Sequence, residues 1–183
     1  MPSVVSVNVG LPRTVAWHGE AVTTGIFKTP VIGAVRVTYS NIDGDKQADL
    51  TVHGGRDKAV YAYPSEHYEY WRAVFQRREI EWGAFGENLT TAGLDEETTA
   101  VSDRLRIGTA VFEVTQPRIP CYKLALRFDD RLMVKRFLQS RRTGFYLRVI
   151  EEGELTAGDS IDRIANGSIT IADVLRNIRH ADR

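Results

Sequence analysis

The chain holds one cysteine, Cys121, in the run QPRIPCYKL that spans positions 116–124. Pro117 and Pro120 each fix a φ angle and restrict the residue before them, so the backbone leading to the sulfur is stiff. Arg118 and Lys123 stand on either side. A positive setting favours thiolate, the form that attacks electrophiles and binds soft metals. The alternative for a lone cysteine is a small buried hydrophobe. A thiolate hydrolase would need an imidazole base, His53 or His67, and a third group to orient it. No spacing in the sequence establishes either pairing.

Two further runs offer chemistry. His53-Gly54-Gly55-Arg56-Asp57-Lys58 follows an apparent strand. Its glycines allow backbone N–H groups to approach an anion, and Arg56 and Lys58 add charge. The same run also reads as a Gly-Gly hairpin turn with a solvent-facing histidine. Phe85-Gly86-Glu87-Asn88-Leu89 presents carboxylate and amide edges suited to a polar heterocycle, or is a glycine turn with a polar tip. The four histidines (His18, His53, His67, His180) show no zinc-ligand spacing.

The elements that must position these residues are mostly strands. SVVSVNVG, RTVAWHG, AVTTGIFK, GAVRVTYS, QADLTVHG, KAVYAYP, DRLRIGTAVFEVTQP, GFYLRVIEEG and GDSIDRI alternate or run apolar between Gly, Pro and Asn turn signals. Gly108-Thr109 predicts a tight connection between two strands. Three helices are expected. One starts at Pro64 and puts Tyr68, Trp71 and Phe75 on one face. One opens at Asp129 and carries Met133 and Phe137 inward. The last places Ile171, Val174, Leu175 and Ile178 on one face, with Thr170 and Asp173 in capping-box positions, and docks on the barrel or on a partner chain. Many short strands with few protected edges predict a mainly β fold, a barrel or sandwich with closure favoured.

The totals narrow the class. At 183 residues, with 43% apolar and 26% charged residues, the chain suits one sizeable core. No apolar run is long enough to span a bilayer, and the N-terminus lacks a signal peptide's pattern. The expectation is a cytoplasmic protein with no membrane partner. One cysteine excludes an internal disulfide and an iron–sulfur cluster. Zero net charge argues against a general nucleic-acid binder. No GxGxxG after a strand and no Walker-type GK[ST] occurs. Charge is nonetheless uneven. Positions 79–103 hold seven acids and no Lys or Arg, whereas 118–148, around the thiol, hold nine bases against Asp129 and Asp130. That basic stretch is either a solvated face or an anion site beside the sulfur.

Taken in order, GDKQADLTVHGGRDKAVYAYPSEHYEYW, FGENLTTAGL, QPRIPCYKL and TGFYLRVIEEGEL resemble the MOSC domain family (molybdenum cofactor sulfurase C-terminal domain), in its small bacterial YiiM-like branch. The resemblance runs from about Val4 to Ile164. It implies a mainly β, partly open MOSC-type barrel with a few short peripheral helices, over 1–165, and a short helical tail at 166–183. YiiM-like proteins usually continue into a small helical C-terminal extension, which this chain largely lacks. It implies a molybdenum cofactor, a pterin dithiolene carrying the metal, with Cys121 as protein ligand. It also implies a pocket of His53, Gly54, Gly55, Gly86, Glu87, Asn88, Arg118 and Lys123, with Arg56 adjoining. At family level it brings an association with pyridoxal phosphate. The implied activity is reduction of N-hydroxylated compounds, hydroxylaminopurine-type bases included. Oxygen would be removed at the metal with electrons from an external donor reductase, and His53 or Glu87 would relay protons. A cofactor- or sulfur-handling module without turnover is the alternative, and a homodimer stays open.

Overall fold

The computed structural model describes residues 1–46, 48, 55–76 and 79–181. Its strands and helices are β1 (Ser3–Val9), β2 (Arg13–Trp17), β3 (Glu20–Thr24), β4 (Thr29–Pro30), β5 (Val35–Val37), β6 (Val60–Pro64), α1 (His67–Phe75), β7 (Leu89–Ala92), β8 (Ala100–Val101), β9 (Arg104–Ile107), β10 (Ala110–Pro117), α2 (Tyr122–Phe128), α3 (Met133–Ser140), β11 (Phe145–Glu151), β12 (Gly153–Leu155), β13 (Ile161–Ala165), β14 (Ile169–Thr170) and α4 (Ile171–Ala181). The mainly β expectation holds. The expected strand QADLTVHG lies for the most part outside the described residues.

Eight strands form one sheet in the order β13-β9-β10-β11-β6-β7-β1-β4. Its ladder does not close on itself. Among the described residues, the two sides are tied instead by one bridge, Ser3 to Ser160. Val4 N–H donates to Asp159 O at 2.9 Å, Gly158 N–H to Val4 O at 2.8 Å and Ile161 N–H to Pro2 O at 2.9 Å. The fold is therefore a partly open barrel. Antiparallel pairs dominate, and β6 with β7 is parallel. A parallel pair needs a crossover connection, and the stretch holding α1 supplies it.

β6 is buried at all five positions, as expected of a strand covered on both faces. Val60 and Ala62 join the core inside the sheet. Tyr61 and Tyr63 point the other way, into a second core shared with Trp71, Phe85, Leu124 and Phe137. That aromatic core fixes α1, α2 and α3 against the outside of β6. It positions the Cys121 loop.

The helices depart from expectation at their ends. Pro64 closes β6 in register with Thr91, and α1 begins only at His67. Tyr68 and Trp71 are fully buried. The helix expected from Asp129 begins at Met133. Asp129 takes a left-handed conformation, φ 51°, and terminates α2, a helix that sequence periodicity did not reveal. Helix α4 docks on the barrel through Ile171 and Leu175. Thr170 Oγ1 accepts Asp173 N–H at 3.1 Å and donates to Asp173 Oδ2 at 2.9 Å. No helix among the described residues is long and apolar enough to cross a membrane.

Candidate functional site

Strand β10 ends at Pro117, paired with Phe145 of β11, and Arg118 N–H continues the contact by donating to Gly144 O at 3.2 Å. Pro117, Arg118 and Pro120 are buried. Cys121, half-buried, caps α2, and its carbonyl accepts Leu124 N–H at 2.9 Å. Gly144 makes this approach possible. Its φ is +63°, and a Cβ there would lie 2.4 Å from Ala62 O. Only glycine lets the entry to β11 run so close to β6.

Cys121 opens onto a cavity of about 110 Å³ whose wall, among the described residues, holds five cations, Lys28, Lys46, Lys58, Arg118 and Lys123, and one carboxylate, Asp45. Tyr61, Tyr146, Gly86, Asn88 and Thr24 also line the cavity. Arg118 is 7% exposed. Its guanidinium lies 4.4 Å from the Tyr61 ring centroid and donates to the Phe85 carbonyl, so its position is set from two directions. Lys28 forms a buried ion pair with Asp45. Asp45 also accepts Gly10 N–H at 3.0 Å and Asn88 Nδ2–H at 3.0 Å. Burial lowers the pKa of Lys28 and Asp45 opposes the shift, as desolvation of an ammonium and a neighbouring carboxylate must. Burial raises the pKa of the Tyr61 phenol, against Arg118; that phenol donates to Thr143 O at 2.7 Å.

Of the residues expected at the site, Cys121, Arg118, Lys123, Gly86 and Asn88 meet in this cavity. Gly86 has φ +81°, and a Cβ would come 2.8 Å from Ile26 Cγ1, so the turn also needs glycine. Gly55 and Arg56 are exposed and do not line it. Arg56 instead covers the Tyr39 ring at 5.4 Å, while Lys58 of the same run reaches the cavity. His53 and Gly54 lie outside the described residues. Glu87 does not line the cavity either. It is fully buried, and accepts from Tyr68 Oη, Gly83 N (2.8 Å), Phe85 N (3.1 Å) and Thr90 Oγ1 (2.9 Å). Four donors occupy its oxygens, and it braces the turn from which Gly86 and Asn88 reach the ligand space. Burial raises its pKa while the Tyr68 and backbone donors pull the other way.

Sequence reading missed Lys28, Asp45, Tyr61 and Tyr146. The tyrosines carried a signal, as polar-tipped aromatics on strands flanking the basic run. Lys28 and Asp45 carried none. A second, larger cavity of about 640 Å³ lies by α1 and holds Glu66, Glu69, Glu96, Glu97 and two arginines. It has no thiol, so chemistry and not size selects the first.

Residues 49–162 match the MOSC domain, and the chain is 47% identical over 165 residues to YflK of Bacillus subtilis, covering 90% of this chain and 74% of YflK. The chain belongs to the MOSC domain family. Within it, the chain is 37% identical to Escherichia coli YiiM over 82% of its own length and 68% of that protein. The crystal structure of YiiM from Geobacillus stearothermophilus superposes with a TM-score of 0.82 at 36% identity, covering 99% of this chain and 85% of that one. A protein named Reductase from Gibberella moniliformis is 34% identical over 86% of this chain, which spans 28% of that protein. The MOSC match includes the Glu87 turn, the Tyr61–Tyr146 pair and Cys121. It takes in eight of the fifteen described residues that line the cavity, while seven, Lys28, Asp45 and Lys46 among them, come from the segment before it.

Proposed function

We propose that the chain binds the molybdenum cofactor and reduces N-hydroxylated compounds, hydroxylaminopurine-type bases among them. The observation that supports this most is that the only thiol opens onto a cavity where the described residues supply five cations and one carboxylate. That donor set fits the cofactor. Thiolate is a soft ligand suited to the metal, and ammonium and guanidinium groups suit its phosphate. Cys121 would hold the metal, and Lys58 and Lys123 would face the anionic part. Arg118, already committed to Phe85 O and the Tyr61 ring, would add fixed charge. When bound, the cofactor supplies two-electron reduction chemistry that no side chain provides. The chain's own residues bind and orient: the Glu87-braced turn holds Gly86 and Asn88 against the ligand space, and Asp45 fixes Asn88 and Lys28. With a single cysteine in the chain, electrons come from a separate donor. The MOSC family's association with the cofactor and the relative named Reductase support the same reading.

The test is expression in a host that makes the cofactor, with molybdenum and pterin measured per mole of protein. Wild type should carry both and Cys121→Ala far less; equal content in the two removes the central claim. Metal-loaded protein given reduced viologen dye and 6-N-hydroxylaminopurine should release adenine. Binding of cofactor without any turnover would favour a cofactor-handling module.

A further inference from the structure

Tyr61 and Tyr146 face one another across β6 and β11 as directly paired residues, with ring centroids 5.4 Å apart. Both line the cavity, yet their hydroxyls are used differently. Tyr61 is committed to Thr143 O at 2.7 Å. The phenol of Tyr146 makes no hydrogen bond among the described residues; its backbone carbonyl accepts from Thr115 Oγ1 at 3.1 Å. Thr24, another hydroxyl of the wall, is engaged by Ile26 N–H at 3.2 Å. The Tyr146 ring is held by Tyr61 on one side and by Lys58, whose Nζ stands 6.0 Å from the ring centroid. Strand pairing to Gln116 and Tyr61 fixes its backbone. A rigid ring thus carries a hydroxyl with no hydrogen-bond partner among the described residues to a ligand space otherwise dominated by cations.

We infer that Tyr146 is the residue that distinguishes an N-hydroxylated ligand from its parent amine, its phenol O–H donating to the ligand's hydroxyl oxygen. The inference rests on the function proposed above and names the group that reads its substrate. Ammonium and guanidinium groups only donate and attract any acceptor, whereas a phenol both donates and accepts, as an N–OH group does. The parent amine has no such oxygen, so it leaves the phenol unpaired and is bound less well. Among the described residues, the groups of charge or titratable character around the ring are Lys58, Tyr61, Arg118 and Cys121. Burial raises the phenol's pKa, with Arg118 opposing, so the donor proton stays in place at neutral pH.

The experiment measures binding of 6-N-hydroxylaminopurine and of adenine, by calorimetry without reductant, to wild type and Tyr146→Phe purified from a cofactor-competent host. The substitution deletes one oxygen that has no hydrogen-bond partner among the described residues, so the fold should survive, which a thermal melt checks. Wild type should prefer the hydroxylamino base, and that preference should fall roughly two- to tenfold in the variant, with adenine affinity unchanged. An unchanged preference, or no preference in wild type, overturns the assignment. Because no turnover is needed, absence of viologen-driven reduction would sink the reductase reading while leaving this result to decide Tyr146.

Discussion

Glu87→Gln separates a structural carboxylate from a proton relay. Three donors converge on Oε1, from Tyr68, Gly83 and Thr90, and Phe85 N–H alone meets Oε2. A glutamine carbonyl can replace Oε1, and the two hydroxyls can rotate, but its NH₂ then faces the fixed amide of Phe85. Two buried donors oppose each other, which costs about 2–3 kcal/mol once relief of a buried charge is allowed for. In a domain of this size that is roughly 4–12 °C in thermal midpoint. The pH dependence has a definite sign. Burial raises the folded-state pKa of Glu87 above its ordinary value of 4.5, so between those two values the folded chain binds more protons than the unfolded one. Wild-type stability from this group therefore falls as pH rises through that window and is level outside it. The cost of Glu87→Gln should be greater near pH 4.5 than at about pH 8. Urea denaturation of both proteins at the two pH values measures it. A difference below about 0.5 kcal/mol at both, or a cost that grows with pH, refutes the reasoning. Phe85 O also holds Arg118, so cofactor content should drop alongside stability.

Other substitutions test neighbouring parts. Gly144→Ala puts a Cβ 2.4 Å from Ala62 O at a φ of +63°, and should cost about 3 kcal/mol or more in urea denaturation; a near-neutral result would mean the β6–β11 approach is looser than described. Lys28→Met leaves the buried Asp45 charge without its cation and should cost about 3–5 kcal/mol, and combining it with Asp45→Asn should cost less than the sum of the two single changes. Additive effects in that double-mutant cycle would show the pair is not coupled. Thr170→Ala removes the acceptor of Asp173 N–H and should lower the thermal midpoint by the equivalent of about 1 kcal/mol.

Much of the barrel was legible because alternation survives in its strands: in β11, Phe145, Leu147 and Val149 are buried and the residues between are half-covered. Helix α1 was legible from Tyr68 and Trp71. Helix α2 was not, since seven residues give barely two turns of periodicity and its closing residue, Asp129, resembles a helix start. In the site, the stiff basic loop around Cys121 was readable from its prolines and cations. Glu87 was expected among the pocket residues, because residue type cannot tell a carboxylate facing ligand from one saturated by four buried donors. Lys28 and Asp45 stand apart in sequence, and only tertiary folding makes them a pair.

The stitch that joins Pro2, Ser3 and Val4 to the 158–161 segment has a consequence in time. A ribosome delivers β1 long before the 158–161 segment to which it is stitched. Until residues near 160 emerge, β1 can pair with β7 but the opposite side of the sheet has nothing to meet. The nascent chain must therefore wait with an open edge, and pairings between such distant segments make folding slow. Residues 158–161 act as the closing seam, and deleting them should cost the fold more than the lost burial of Ile161 alone would suggest.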